Sequence, residues 1–459
     1  MNSKELVKQA GDFADADNLE AAAEIVNRVL LEEPDNPGAL YVLGCTLLKA
    51  ARQVQVIQVA KRITNLCPRD FRGWSLLCLA WGELHRYDES IRNARKALEC
   101  KRSAKTLADL CYALTNAGEW DEASRTYDAA MYEIQRSPDE PLTNEALTNC
   151  RVSIGYIRLA QGRWKEGFDA YRATLRTKWR KERVYDAPGG DTKEWGGEPD
   201  ATVIVTGEQG LGDEIMAAGV IPDAAARCRK FIFDCDARLA TLFARSFPNV
   251  LVVGGRRQEQ LQIPASVGLP THHKTLFGLA EVCRGSDADF PRKPYLIADE
   301  GYRSMFRDLF GGQRTVGLAW SGGLPRTGQE PRAAGLNAFL PLLRKGEAEF
   351  VSLQYKNDGE EVARFEQEHG IRVRRLPWVA QGQDMDLLAG LVASCDEVVG
   401  VHTTALHLSS ALGVPTTVLT HRGSGWRYAG EELLWYPPTT KMHRKRTGES
   451  WRDCVARLK

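Results

Sequence analysis

The chain is poor in the features that would place it in several broad classes. It has no run of about eighteen apolar residues, which excludes a membrane-spanning helix of the usual kind. Its N-terminus lacks a basic region followed by an apolar stretch, so no signal peptide is expected and the expected compartment is the cytoplasm. Sixty-one basic residues against 60 acidic ones leave a net charge of +1, too little to recruit nucleic acid or an anionic membrane. No Gly-Lys-Ser/Thr follows a glycine loop, so there is no P-loop. None of the 11 cysteines forms a Cys-x-x-Cys pair, and most fall on apolar helix or strand positions. They read as small core residues in a reducing compartment, with neither disulfides nor a structural zinc.

What is present begins with a repeat. Pro34 and Pro68 are 34 positions apart, and that offset aligns the blocks around them. Leu40, Leu43, Gly44 and Leu47 in one block answer to Trp74, Leu77, Cys78 and Trp81 in the next. With a one-residue slip, Leu107, Leu110, Cys111, Leu114 and Gly118 continue the series, and Ile154–Gly155 through Tyr171 restates it after a gap. Small residues let paired helices approach, large ones fill the space between pairs, and proline stops a helix. The pattern resembles the tetratricopeptide repeat over residues 3 to 177. Such a solenoid presents a concave face to peptides or protein partners, or else braces the domain that follows. An irregular linker is expected next, with Pro188–Gly189–Gly190 and Gly196–Gly197–Glu198–Pro199, and with Trp195 pinned to a domain surface.

From residue 201 strands alternate with helices, which argues for parallel sheets. Strands are expected at 202–206, 230–235, 250–253, 315–320, 350–354, 371–375, 397–401 and 415–419. Helices are expected at 214–227, 238–246, 385–394, 402–412 and 451–458. The fold class is therefore α plus α/β: a repeat solenoid (1–180), a linker (181–200) and two Rossmann-like lobes (201–300 and 301–459).

Two stretches carry chemistry. The first is the β-branched run Thr202–Thr206 entering Gly207–Glu208–Gln209–Gly210–Leu211–Gly212–Asp213. Its spacing is G-x-x-G-x-G and not the dinucleotide G-x-G-x-x-G, so a plain strand-to-helix turn competes with a ligand loop built from Gln209, Gly210 and Gly212. Asp213 would stand at the sheet edge where open α/β folds bind ligands. In the second, Glu397–Val401 delivers His402, Thr403 and Thr404 onto a helix start, where hydroxyls and free N–H groups suit a diphosphate. His407 follows one turn after Thr403 on the same face; alone it reads as a satisfied core histidine.

Five ordered pieces in residues 201–459 then resemble the heptosyltransferase-like (glycosyltransferase family 9 type) enzymes of the GT-B fold, in particular forms with N-terminal tetratricopeptide repeats. They are Gly207–Asp213, Val316–Trp320, Phe350–Gln354, Asp384–Met385–Asp386 with the helix after it, and Ala405–Leu408 through Gly413. The resemblance implies an inverting glycosyltransferase with Asp213 as general base and a nucleotide-sugar donor in the C-terminal lobe. It implies no cofactor and no metal. Donor contacts are expected from Ser321, Gly322, Gln354, His402, Thr403, Thr404, His407 and Arg427, with Gln354 facing the nucleotide. Trp426 and Arg427 would stack on and pair with it. One position departs: the family's Val-Asp-Thr is Val401–His402–Thr403 here, and a histidine lacks the acceptor-only character of a carboxylate. That exchange supports an alternative, a nucleotide-sugar-binding repeat scaffold with reduced turnover. A nicotinamide enzyme is disfavoured by the glycine spacing.

Weaker signals are read mainly as structure. Asp234-Cys-Asp236 and Asp287-Ala-Asp289 have the Asp-x-Asp form of a metal or ribose site, but turn chemistry and a solvated loop fit them better. His272–His273 reads as surface. Lys441, His443, Arg444, Lys445 and Arg446 read as a solvated basic face, with phosphate contact as the alternative. The acceptor's class stays open, with protein slightly favoured over glycan or modified nucleobase because of the repeats; a homo-oligomer is equally open.

Overall fold

The computed structural model describes residues 2–137, 142–176, 192–208, 210–255, 263, 268–323, 332–346, 348–381 and 383–458. It divides into two compact units, Met1–Ile157 and Arg158–Lys459.

The first unit is a series of antiparallel helical hairpins: Ser3–Asp15 with Leu19–Glu32, Pro37–Lys49 with Gln53–Leu66, Phe71–Glu83 with Tyr87–Cys100, and Ala104–Ala117 with Trp120–Arg136. Side chains of Asn2, Asn18, Asn36, Asp70 and Ser103 cap five of these helices, which fixes where they begin. Each hairpin turns through a left-handed residue, at Asp17, Ala51, His85 and Gly118. The spacing of the first three is the repeat length, and the fourth carries the one-residue slip. The solenoid read from the sequence is present.

The second unit carries two five-stranded parallel sheets. In the first, β1 (Lys193–Glu194), β2 (Thr202–Thr206), β3 (Lys230–Asp234), β4 (Leu251–Val253) and β5 (His272–Thr275) run in the order β1-β5-β2-β3-β4. In the second, β6 (Thr315–Ala319), β7 (Glu349–Ser352), β8 (Glu397–Val401), β9 (Thr416–Thr420) and β10 (Thr440–Arg444) run in the order β10-β9-β8-β6-β7. β2 and β6 are interior strands and buried throughout except at Thr206, as their continuous apolar runs require.

Several expectations are corrected here. Residues 193–194, placed in the linker, form an edge strand, and Trp195 beside them is fully buried; residues 177–191 lie outside those described. His272–His273, read as surface, is only partly exposed and forms the start of interior β5. Its Lys274 is buried between Glu194 Oε1 (2.7 Å) and Glu281 Oε2 (3.1 Å), so this polar strand is neutralised in place. Residues 371–375 make only a single bridge, Val351 to Arg374. The basic run from 441 is largely β10: Arg444 donates to the Tyr428 carbonyl (2.5 Å) and the His443 ring contacts the Cys454 carbonyl (2.9 Å). The helix expected at 214–227 is split into Leu211–Ala217, a 3₁₀ turn and Ile221–Ala225.

The helix Trp164–Tyr171, read as the last repeat, belongs to the second unit. Its Phe168 and Tyr171 meet Trp426 edge-on, and Trp164 donates to Asp287 Oδ1 (2.5 Å). Asp287 is exposed, as expected, but its carboxylate also anchors Trp164.

Candidate functional site

The site lies where the C-terminal ends of β2 and β8 hand over to their helices. On the first side, the loop after β2 enters the helix Leu211–Ala217 with Asp213 in its first turn. On the second, Thr403 is the N-cap of Thr404–Leu412 in extended conformation, and its side chain makes no cap hydrogen bond. The two helices touch. A Cβ placed on Gly212 would come within 2.8 Å of His407 Cδ2, so this contact demands glycine.

His407 is gripped from both ends, with Nδ1 2.6 Å from the Tyr436 hydroxyl and Nε2 3.2 Å from that of Tyr428. Tyr436 stacks on Tyr295, whose hydroxyl donates to the Ile215 carbonyl (2.9 Å) and so ties the cluster to the Asp213 helix. Burial drives the His407 pKa down to about 4; Asp213 opposes the shift while Arg427 and Arg332 add to it. His402 is pushed well below the usual histidine range, first by burial and then by Arg332, His421 and His407. Both rings are neutral at pH 7.

Asp213 is 39% exposed at its side chain, and its Oδ1 lies 3.0 Å from Arg427 Nη2. The Arg427 guanidinium sits 5.2 Å from the Phe277 ring and 4.8 Å from the Trp426 ring, so it is held in place by both lobes. Trp426 itself is buried among Phe277, Phe168, Tyr171 and Trp435 and cannot serve as a stacking platform, which corrects that expectation.

Two polar atoms at the second helix start are buried without a hydrogen-bond partner among the described residues, Thr403 Oγ1 and His402 Nδ1. Thr403 is 9% exposed. Such orphans are costly unless something polar arrives. Gly322 passes directly over them, where a Cβ would meet Thr403 Cγ2 at 2.6 Å. Gln354 does not face this space. Its Oε1 accepts from the N–H groups of Trp320 (3.1 Å) and Ser321 (3.2 Å), and its Nε2 donates to the Ser321 carbonyl (2.7 Å). Buried and bonded to the backbone through both its oxygen and its nitrogen, the amide shapes the loop. Ser321 is bridged to Ala333, which brings Arg332 back beside Gly323. Thr404 begins the helix and is partly exposed. Gly210 is the N-cap of its own helix, and Gln209 lies outside the described residues.

The structure thus brings together Asp213, Gly212, His407, Arg427, His402, Thr403 and Gly322, and turns Gln354 away. The Asp-x-Asp at 234–236 is structural: Asp234 Oδ1 accepts from Gly255 N (3.0 Å), and Asp236 caps a turn and pairs with Arg238 (2.9 Å). Among the described residues no three His, Cys, Asp or Glu side chains cluster as metal ligands. Asp386, quoted above only as part of a motif, joins the lobes through a two-pronged pair with Arg245 (2.7 and 2.5 Å). Sequence reading missed Tyr295, Tyr436 and Phe277; each is an aromatic among many, with no spacing to single it out.

No known family profile matches the chain. It is 28% identical over 448 residues to protein FlbA of Caulobacter vibrioides, a match spanning 91% of this chain and 71% of that one. Among solved structures it resembles ADP-heptose lipopolysaccharide heptosyltransferase II of Escherichia coli, at 16% identity over 56% of this chain and 94% of that chain, TM-score 0.40. It also resembles a thermophilic tetratricopeptide protein of Thermus thermophilus, at 20% identity over 39% of this chain and 93% of that chain, TM-score 0.33. No helix among the described residues is long and apolar enough to cross a membrane.

Proposed function

We propose that the second unit is a glycosyltransferase that moves a sugar from a nucleoside-diphosphate donor to an acceptor hydroxyl with inversion, and that the helical repeats dock or brace the acceptor. One observation carries this reading. A half-exposed carboxylate, Asp213, pairs with Arg427 on a helix packed through Gly212 and His407 against the helix whose start holds the unpartnered Thr403 and His402 atoms. The helix start and the two guanidiniums Arg332 and Arg427 suit a leaving diphosphate without metal, and neutral His402 offers it a neutral partner in place of the family's carboxylate. Asp213 then takes the acceptor proton as oxygen attacks the anomeric carbon, and the diphosphate leaves with the bonding pair. The repeats favour a protein acceptor.

The test is a donor screen on the full chain followed by Asp213→Ala. Transfer or donor hydrolysis that falls by about two orders of magnitude in the variant supports the reading; transfer at the wild-type rate removes Asp213 from the mechanism. The ion pair on Asp213 also suits a second reading, a sugar-nucleotide-binding scaffold without turnover. Binding with neither hydrolysis nor transfer would select it.

A further inference from the structure

A carboxylate that accepts from a guanidinium 3.0 Å away is poorly placed to accept a proton from an alcohol. Arg427 thus weakens Asp213 as a base, yet it lies at the site with its guanidinium seated over Phe277 and Trp426. Those two rings are 5.9 Å apart and belong to different lobes, and Trp426 is packed by Phe168 and Tyr171, so Arg427 cannot leave the site to resolve the conflict. The guanidinium has a second destination. Tyr428, the neighbour of Arg427 in the chain, holds His407 Nε2 at 3.2 Å, and His407 lies one turn beyond the unpartnered Thr403.

We propose that Arg427 is a positioning residue that changes partners: a diphosphate arriving at the Thr403 helix start draws its guanidinium off Asp213 and so frees the carboxylate. Asp213 is then released only in a donor-loaded site, and the substrates add in order, donor before acceptor. The inference rests on the function proposed above and assigns it a safeguard, since a bare site holds its base neutralised and does not activate water or a wrong alcohol.

The test uses binding alone. The full chain is titrated calorimetrically with UDP, ADP, GDP and CDP, and the tightest is carried into variants. Asp213→Asn is expected to bind it roughly fivefold more tightly, because no ion pair has to be broken. Arg427→Gln is expected to bind roughly tenfold more weakly. In the double variant the gain from Asp213→Asn disappears, whereas simple repulsion between Asp213 and phosphate would leave it intact. Arg427→Lys keeps the charge and retains part of the coupling, which separates lost charge from lost folding. A gain that persists without Arg427, or Asp213→Asn binding no more tightly than wild type, overturns the exchange while leaving the donor site standing. If wild type binds none of the four, the donor reading falls and the exchange with it.

Discussion

The Nδ1 atom of His407 lies 2.6 Å from the hydroxyl of Tyr436, the shortest of the contacts that pin this ring. With the hydroxyl of Tyr428 at Nε2, a neutral imidazole has one donating and one accepting nitrogen satisfied. Tyr436→Phe leaves one buried nitrogen unpaired and should cost about 1–3 kcal/mol of unfolding free energy. Urea denaturation at pH 7 measures it. An unchanged midpoint would mean that the ring is held by packing alone.

Stability should fall in acid through the same ring. Its pKa is about 4 folded against 6.5 for the ordinary group. Between those values the unfolded chain binds a proton that the folded chain refuses, so stability rises with pH from 4 to 6.5 and is flat above. Lowering the pH from 7 to 5 should cost about 2 kcal/mol through His407. His402, shifted in the same direction, adds to the loss. Denaturation curves at the two pH values should show a smaller drop in His407→Gln than in wild type.

Gly212→Ala places a methyl 2.8 Å from a ring that two tyrosines prevent from moving. The helices must separate, at a cost of about 1–3 kcal/mol. Diphosphate binding should weaken along with the denaturation midpoint, since the helix pushed away through His407 is the one that starts at Thr404. A variant that is destabilised but binds normally would place the diphosphate away from that helix start.

The repeats offer a gain. Ala51 turns its hairpin at φ 58°, where a Cβ is strained. Ala51→Gly should raise stability by about 0.5–1 kcal/mol, the relief of strain exceeding the added freedom of the unfolded chain. A thermal melt followed by helical circular dichroism tests this.

The repeats were legible because their apolar positions recur at fixed offsets whatever the residues between them. β2, β6 and β8 were legible because interior parallel strands must be apolar on both faces. β5 and β10 were not. His-His-Lys-Thr becomes an interior strand only because Glu194, remote in sequence, joins the nearby Glu281 to neutralise Lys274. Thr440–Arg444 lies at a sheet edge, where one row of backbone groups is unpaired and charged side chains are tolerated. In the site, Asp213, Thr403 and His407 stood out because glycine loops and helix starts mark them. Gln354 was misassigned because a strand end predicts nearness to the crevice but not which way an amide points. The partners of His407 come from residues 428 and 436, beyond any local pattern.

The ring of Phe168 has a practical consequence for anyone dividing this protein. A cut at residue 201, where alternating strands and helices begin, would strip away Trp164, Phe168 and Tyr171 and open the indole of Trp426 to solvent. Arg427, the neighbour of that indole, would lose its rigid footing. A trimmed chain starting there should be sticky and slack at Asp213, whereas one starting ahead of Trp164 would keep its own plug.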